Sequence, residues 1–288
     1  MNGLEIRDLN VKIGGGFSLK QINLTVPKGT LLGLVGRNGA GKTSLIKTIA
    51  DVYAPRSGVI LADGISVYDD RPAFFTAAGF AFDESIINER MHFKRMAGTA
   101  KAAFPEFDED FFRGKLEHFG IALNKNLAEC SLGMKKKFAV IFALARKPTV
   151  LLLDEPTAGV DPADRAELLD MILEFLQDGE HTVLFSTHIT SDLDRIADYV
   201  ALMDGGEILF SREINDLKES YRLIQAERDA FTPEEASRLI GAKAGAFGIE
   251  ALTADLSLAK KPGVTARMAT VEEIMVHFVG RKSGEDAV

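Results

Sequence analysis

The chain has one cysteine, Cys130, so no intrachain disulfide can form, and this usage fits a reducing compartment. It also leaves no zinc-binding cysteine cluster. No apolar run approaches the ~20 residues needed to span a bilayer. Residues 138–145 form one of the longest and fall far short, so any membrane role is expected to come through a partner. Residues 1–10 alternate like a strand and lack the apolar core of a signal peptide. Positive charge is not in excess: 34 Lys and Arg face 42 Asp and Glu, a net charge of −8, which gives no support for nucleic-acid binding. Internal repeats and low-complexity segments are absent as well. What remains is 288 residues, 46% hydrophobic and 26% charged, an ordinary globular composition for one large or two modest domains.

Against that background one stretch stands out. Gly36, Arg37, Asn38, Gly39, Ala40, Gly41, Lys42 and Thr43 have the G-x-x-x-x-G-K-[ST] spacing of a phosphate-binding P-loop. The apolar run 31–35 precedes it and a helical segment, 44–50, follows. Glycines let the chain wrap so that successive N–H groups point at phosphate oxygens. The helix start adds unpaired N–H groups and the positive end of its dipole. Residues 36–43 and Ser44 are therefore expected to hold the phosphates, with Lys42 on the β- and γ-phosphates and the Thr43 hydroxyl on Mg2+.

The pattern around the loop is that of an α/β core. Residues 4–9 and 19–26 alternate as antiparallel strands, and Pro27, Lys28 and Gly29 then turn the chain. Segments 31–35, 58–62, 78–82, 150–153 and 182–186 read as further strands, and 150–153 as one covered on both faces. Between about 84 and 147 the pattern turns helical, broken at 104–108. Helices are expected at 162–177, with Asp161 as N-cap and Pro162 in first position, and at 192–198. Gly205 and Gly206 sit between strands 200–204 and 207–211 as a hairpin turn. The sum is a mostly parallel sheet with an antiparallel β subdomain and a helical insertion. Beyond residue 214 the signals suggest a strand at 221–226 and helices at 232–240 and 270–279, a small α+β appendage.

A second cluster of chemistry follows the P-loop. Asp154 and Glu155 end an apolar strand, at the edge where Mg2+ is held beside a P-loop. Asp154 is assigned to the Mg2+ shell and Glu155 to orienting the attacking water. His188 follows the next apolar strand, where an imidazole can hydrogen-bond the γ-phosphate or serve a structural role.

These residues carry a family resemblance. The P-loop at 36–43, the strand and acids at 151–155, the segment Ala158, Gly159, Val160 and Asp161, and His188 occur in the order and spacing of an ABC transporter ATP-binding subunit. Features at 104–108, 133–137 and 185–193 make the chain most similar to the YtrB-like exporter ATPases. The resemblance covers residues 1–212. It implies an ATP-binding and hydrolysing subunit of an ABC-2-type transporter, with ATP and Mg2+ as cofactors. Implied partners are an integral-membrane permease and a second ATPase subunit, so the chain would sit in the cytoplasm on the inner face of the membrane. An ATPase domain would span 1–214, with its helical subdomain at about 84–147, and an accessory domain 215–288. Catalytic roles fall to Lys42, Glu155 and His188.

In this family two subunits clamp two ATP molecules head to tail, each between one P-loop and the other subunit's signature motif. The signature position holds Cys130, Ser131, Leu132, Gly133 and Met134, with Ser131 and Gly133 matching the serine and second glycine. Asp161 would touch the opposing subunit. Lys135, Lys136 and Lys137 read as a solvated helix face or as reinforcement of the helix's positive end. Several positions depart from the pattern. Asp83 replaces the glutamine that contacts Mg2+ and water, Leu132 replaces the first signature glycine, and Ile13 stands where an aromatic ring stacks on adenine, with Phe17 a nearby substitute. Phe74, Phe75, Phe80 and Phe82 either help line the groove for the permease or belong to the core. A soluble ATPase of the same type, or a regulatory module that holds ATP without cycling it, is the alternative. The former usually joins two ATPase domains or inserts a long coiled coil. A GTPase would need an Asn-Lys-x-Asp guanine reader, which the sequence does not contain.

Overall fold

Alternation at the start of the chain produces a half-buried ribbon. β1 (Asn2–Lys12) and β2 (Ser18–Pro27) pair antiparallel, with Leu4, Ile6, Leu19, Ile22, Leu24 and Val26 buried. The computed structural model describes residues 2–82, 89–245 and 248–283. β3 (Leu31–Val35) is buried at every position, as a central strand covered on both faces must be. The P-loop then leads into α1 (Lys42–Ile49). β4 (Ser57–Ala62) and β5 (Ile65–Ser66) complete a four-stranded antiparallel sheet in the order β2-β1-β4-β5. α2 (Arg71–Ala77), capped by the Asp70 carboxylate, runs directly into β6 (Ala78–Ala81).

The described part of the insertion holds α3 (Phe93–Ala103), α4 (Glu109–His118), a 3-10 turn and α5 (Leu132–Ala145). Its core is aromatic: Phe93 stacks on Phe138 at 4.4 Å, and Phe107, Phe112 and Phe142 close the cluster. β7 (Val150–Asp154), α6 (Pro162–Leu176), β8 (Thr182–Thr187), α7 (Thr190–Ile196), β9 (Tyr199–Asp204) and β10 (Glu207–Glu213) follow. The six-stranded sheet has the order β10-β9-β3-β8-β7-β6, and its five strands from β9 to β6 are parallel. Leu45, Ile46 and Ile49 of α1 share one core with Leu32, Leu34, Leu152 and Leu184 of this sheet and with the inward residues of β1, β2 and β4. The expected α/β architecture, with parallel and antiparallel sheets and an insertion, is the one observed.

Gly205 and Gly206 turn the β9–β10 hairpin with φ of 55° and 83°, as a two-residue hairpin turn requires. The Gly206 N–H donates to Ala40 O and its carbonyl accepts from Lys20 N, both at 2.9 Å. A Cβ on Gly206 would lie 2.1 Å from Ser18 O.

The chain divides into two compact units, Met1–Ser211 and Arg212–Val288. The second holds α8 (Ile214–Ser220), β11 (Arg222–Ala226), α9 (Pro233–Ala236), β12 (Ile240–Gly245), β13 (Gly248–Thr253), α10 (Leu256–Ala259), β14 (Thr265–Met268) and α11 (Val271–Ser283). Its sheet is antiparallel throughout, ordered β12-β13-β11-β14. His277 of α11 is 2% exposed and bonds Gly241 O through Nδ1 at 2.7 Å.

Two sequence expectations change, and one left open is resolved. The helix expected at 232–240 ends at Ala236. Its Thr232–Glu235 capping box fixes where a helix starts and not how long it runs, and Ile240 is taken by pairing with Leu252. The helix expected at 192–198 runs from Thr190 to Ile196, with Asp192 buried in its first turn and accepting from Thr157 and Arg165. The phenylalanines 74, 75, 80 and 82 belong to the core: Phe74 and Phe82 are buried, and Phe75 and Phe80 pack against them.

Candidate active site

Strand register brings the separated motifs to one edge. Val35 at the end of β3 lies beside Thr187 of β8, and Asp154 at the end of β7 lies beside Ser186. The P-loop, Asp154-Glu155 and His188 therefore leave three neighbouring strands at the same carboxyl edge, where ligands bind in open α/β sheets. Between them is an open cleft of about 540 Å3. It is lined by Ile13, Phe17, Arg37, Asn38, Gly39, Ala40, Gly41, Lys42, Thr43, Ser44, Glu155, Ala158 and His188.

The loop's own shape depends on its glycines. Gly39 and Gly41 have φ of 82° and 114°, which L side chains rarely adopt. Gly36 has no room for one, since a Cβ there would lie 2.3 Å from Met203 O. The Lys42 ammonium, 7% exposed, donates to Gly36 O at 2.8 Å and stands 3.6 Å from Glu155 Oε1. Glu155 Oε2 lies 2.7 Å from His188 Nδ1. One carboxylate thus bridges the P-loop lysine and the histidine. Glu155 itself is left-handed at φ 50°, a conformation costing a non-glycine residue roughly 1–2 kcal/mol. Its N–H donates to Ser186 O at 3.0 Å.

Asp154 is 1% exposed and its Oδ1 accepts from Ser186 Oγ at 2.6 Å and Thr43 Oγ1 at 3.1 Å. Behind it, Thr157 Oγ1 and Arg165 Nε both donate to Asp192 at 2.7 Å, tying the segment after β7 to α7. Asp161 caps α6, and the hydrogen bond from the Asp164 amide holds its carboxyl below the usual carboxylate range. Ile13 and Phe17 form the apolar wall of the cleft; Phe17 Cζ comes within 3.0 Å of where a Gly41 Cβ would sit.

Ser131 and Gly133 are not among the cleft's lining residues. Ser131 is the N-cap of α5, accepting from Met134 N at 3.3 Å, and both it and the following Leu132 side chain are exposed. Leu132 abuts Gly159, where a Cβ would lie 3.0 Å from Leu132 Cδ2. Asp83 lies outside the described residues.

The solvated-face expectation for Lys135, Lys136 and Lys137 is overturned. Lys136 and Lys137 are 3% and 6% exposed. Lys136 Nζ donates to Glu155 O at 2.7 Å, Lys137 pairs with Asp164, and Lys135 pairs with Glu89 at 2.9 Å. The sequence carried a signal for this: Lys136 and Lys137 precede Val140 and Ile141 by four residues, and Ala143 and Leu144 by seven, which puts them on the helix's buried stripe. Ser186 was also missed as a site residue. Its signal was a hydroxyl in an apolar strand whose neighbour ends in Asp154.

Comparison with known proteins gives the same reading. The ABC transporter family model matches residues 19–158. The ABC transporter ATP-binding protein YtrB of Bacillus subtilis (strain 168) is 27% identical over 226 residues, 78% of this chain and 77% of that protein. YxlF of the same organism, an uncharacterized ABC transporter ATP-binding protein, is 32% identical over 228 residues, 78% of this chain and 74% of that one. The chain belongs to the ABC transporter ATP-binding proteins. As a member of this family it binds and hydrolyses ATP to power a transporter. Its fold matches a solved ATP-binding subunit of an ABC transporter with a TM-score of 0.68 at 25% identity, over 75% of this chain and 92% of that one. CbiO1 of Clostridium perfringens, part of the ABC transporter complex cbiONQ, matches with a TM-score of 0.60 at 25% identity, over 75% and 90%.

Proposed function

We propose that this ABC ATPase drives an ABC-2-type exporter, acting on a separate integral-membrane permease that holds it at the cytoplasmic face of the membrane. The likeness to the ABC transporter ATP-binding protein YtrB supports the transporter part of this reading. A separate permease agrees with the cbiONQ complex that contains CbiO1. Among the described residues no helix is long and apolar enough to cross a membrane. The ATPase domain is assigned to residues 1–214, including the helical subdomain at about 84–147, and an accessory domain to 215–288. The division into compact units near residue 211 supports that boundary.

The observation that carries the catalytic reading is the Glu155 carboxylate held between Lys42 and His188 at the mouth of the P-loop. The triphosphate lies along the N–H groups of residues 36–44, and Lys42 exchanges its contact with Glu155 for the β- and γ-phosphates. Glu155, freed on that side and still held by His188, accepts a hydrogen bond from the attacking water and aims it at the γ-phosphorus. The adenine packs against Ile13 and Phe17. Thr43 and Asp154 present a hydroxyl and a carboxylate oxygen to one point, the hard oxygen donors that suit Mg2+; Asp83 is assigned as a further ligand. When bound, Mg2+ neutralises charge on the phosphoryl oxygens. Ser131 and Gly133, at the exposed start of α5, face the nucleotide of a second ATPase subunit, so that ATP closes the pair and hydrolysis releases it.

The test is Glu155→Gln. It is expected to keep ATP binding and lose at least about 100-fold in turnover, ~2.7 kcal/mol of barrier. Its solution mass should rise from monomer to dimer on adding Mg-ATP. Near-normal turnover would remove Glu155 from the reaction. A nucleotide-bound monomer would mean that this chain alone does not form the sandwich.

A further inference from the structure

The buried Lys136 makes a contact that nucleotide binding does not require. Its Nζ donates to the backbone carbonyl of Glu155 at 2.7 Å. An ammonium at 3% exposure has given up its water and needs strong acceptors where it sits. One acceptor it finds is the backbone of Glu155, the residue whose side chain bridges Lys42 and His188. Glu155 is also left-handed, so its backbone does not rest in an ordinary well. Its N–H donates to Ser186 O of β8, and its carbonyl accepts from Lys136 Nζ of α5 at 2.7 Å and, more weakly, from Ala158 N at 3.3 Å. With both backbone groups held, the direction in which the carboxylate leaves the chain is held too.

Lys136 is not a loose tether. The residues on either side anchor the same helical turn, Lys135 to Glu89 and Lys137 to Asp164 in the first turn of α6. Five residues before Lys136 lies Ser131, the N-cap of the same helix. We propose that Lys136 is a positioning residue for Glu155, making α5 a strut between the exposed Ser131–Gly133 end and the water-aiming carboxylate of the same chain. The inference rests on the proposed role of Glu155. Through the strut, contacts made at the start of α5 reach the geometry of hydrolysis without altering the P-loop's hold on the phosphates.

The experiment is Lys136→Met in the full chain, which keeps much of the stem and removes the ammonium. Steady-state ATPase kinetics and binding of a slowly hydrolysed ATP analogue are measured side by side. The expected result is a kcat lowered about tenfold or more, with KM and analogue affinity within about twofold. Combined with Glu155→Gln, Lys136→Met should add no further loss of turnover. A wild-type kcat in Lys136→Met, or additive losses in the double variant, overturns the proposal. If Lys136→Met does not fold, Lys136→Gln takes its place. An intermediate kcat at unchanged KM supports the strut, and an unchanged kcat overturns it. Normal turnover of Glu155→Gln alone would instead point to failure of the reading of Glu155, which separates the two.

Discussion

The two units of the chain use buried charge differently. In Met1–Ser211, Lys42, Lys136, Lys137, Asp154 and Asp192 are all less than a tenth exposed, and each belongs to or braces the nucleotide edge of the parallel sheet. In Arg212–Val288 the buried polar side chains among the described residues are Thr253 and His277, while its ion pairs are more exposed: Arg267–Glu273, Lys261–Glu235 and Arg238–Asp255. Burying a charge costs several kcal/mol unless it is well paired. A sheet meant only to hold a shape has no reason to accept that cost. The first unit accepts it repeatedly, at the edge where phosphates are to be met. Concentrated buried charge thus marks the nucleotide edge of the first unit.

Three substitutions probe that contrast. The largest effect is expected from Lys42→Ala, which should weaken ATP binding by about 100-fold, ~2.7 kcal/mol, read by calorimetric titration. Unchanged affinity would break the link between buried charge and phosphate binding. Asp192→Ala leaves Arg165 and the buried Thr157 without their shared acceptor. It should cost about 2–3 kcal/mol of stability in urea unfolding, and a cost near zero would mean this buried charge is incidental. The smallest effect belongs to the second unit. The hydrogen bond from Arg267 holds the Glu273 carboxyl down at about 2, against an ordinary value of 4.5. A carboxyl lowered in the folded state stabilises above its unfolded value and loses that contribution as pH falls through the folded one. The pair's contribution should therefore fade between pH 4.5 and about 2. Because Arg267 is more than half exposed, it amounts to under about 1 kcal/mol. Arg267→Met should flatten the acid limb of the second unit's unfolding curve in that window, followed by circular dichroism.

Legibility in the sequence followed burial. The strands at 31–35, 150–154 and 182–187 are buried throughout and carry continuous stretches without a polar side chain at 31–35, 150–153 and 183–185, so the parallel sheet and the edge it creates were visible. The phosphate loop was visible because its spacing is imposed by backbone geometry. β12 and β14 were not: their residues, 240–245 and 265–268, are mostly exposed and include small or charged side chains, so neither period nor propensity distinguishes them from loop. α2 was missed because of seven residues only Phe74 and Ala77 are buried. Lys136 and Lys137 were misread for a different reason. A charge run is normally solvated, and only the apolar stripe four and seven residues further on shows that these two point inward.

Hairpin tips are where chains usually tolerate cuts, tags and inserted domains. The Gly205–Gly206 tip is an exception. Its N–H serves the phosphate loop at Ala40, its carbonyl serves β2 at Lys20, and Gly206 has no space for a side chain. Anyone attaching a reporter or a linker to this ATPase would find the most obvious exposed turn to be a poor graft site, since lengthening it pulls a stitch out of the P-loop.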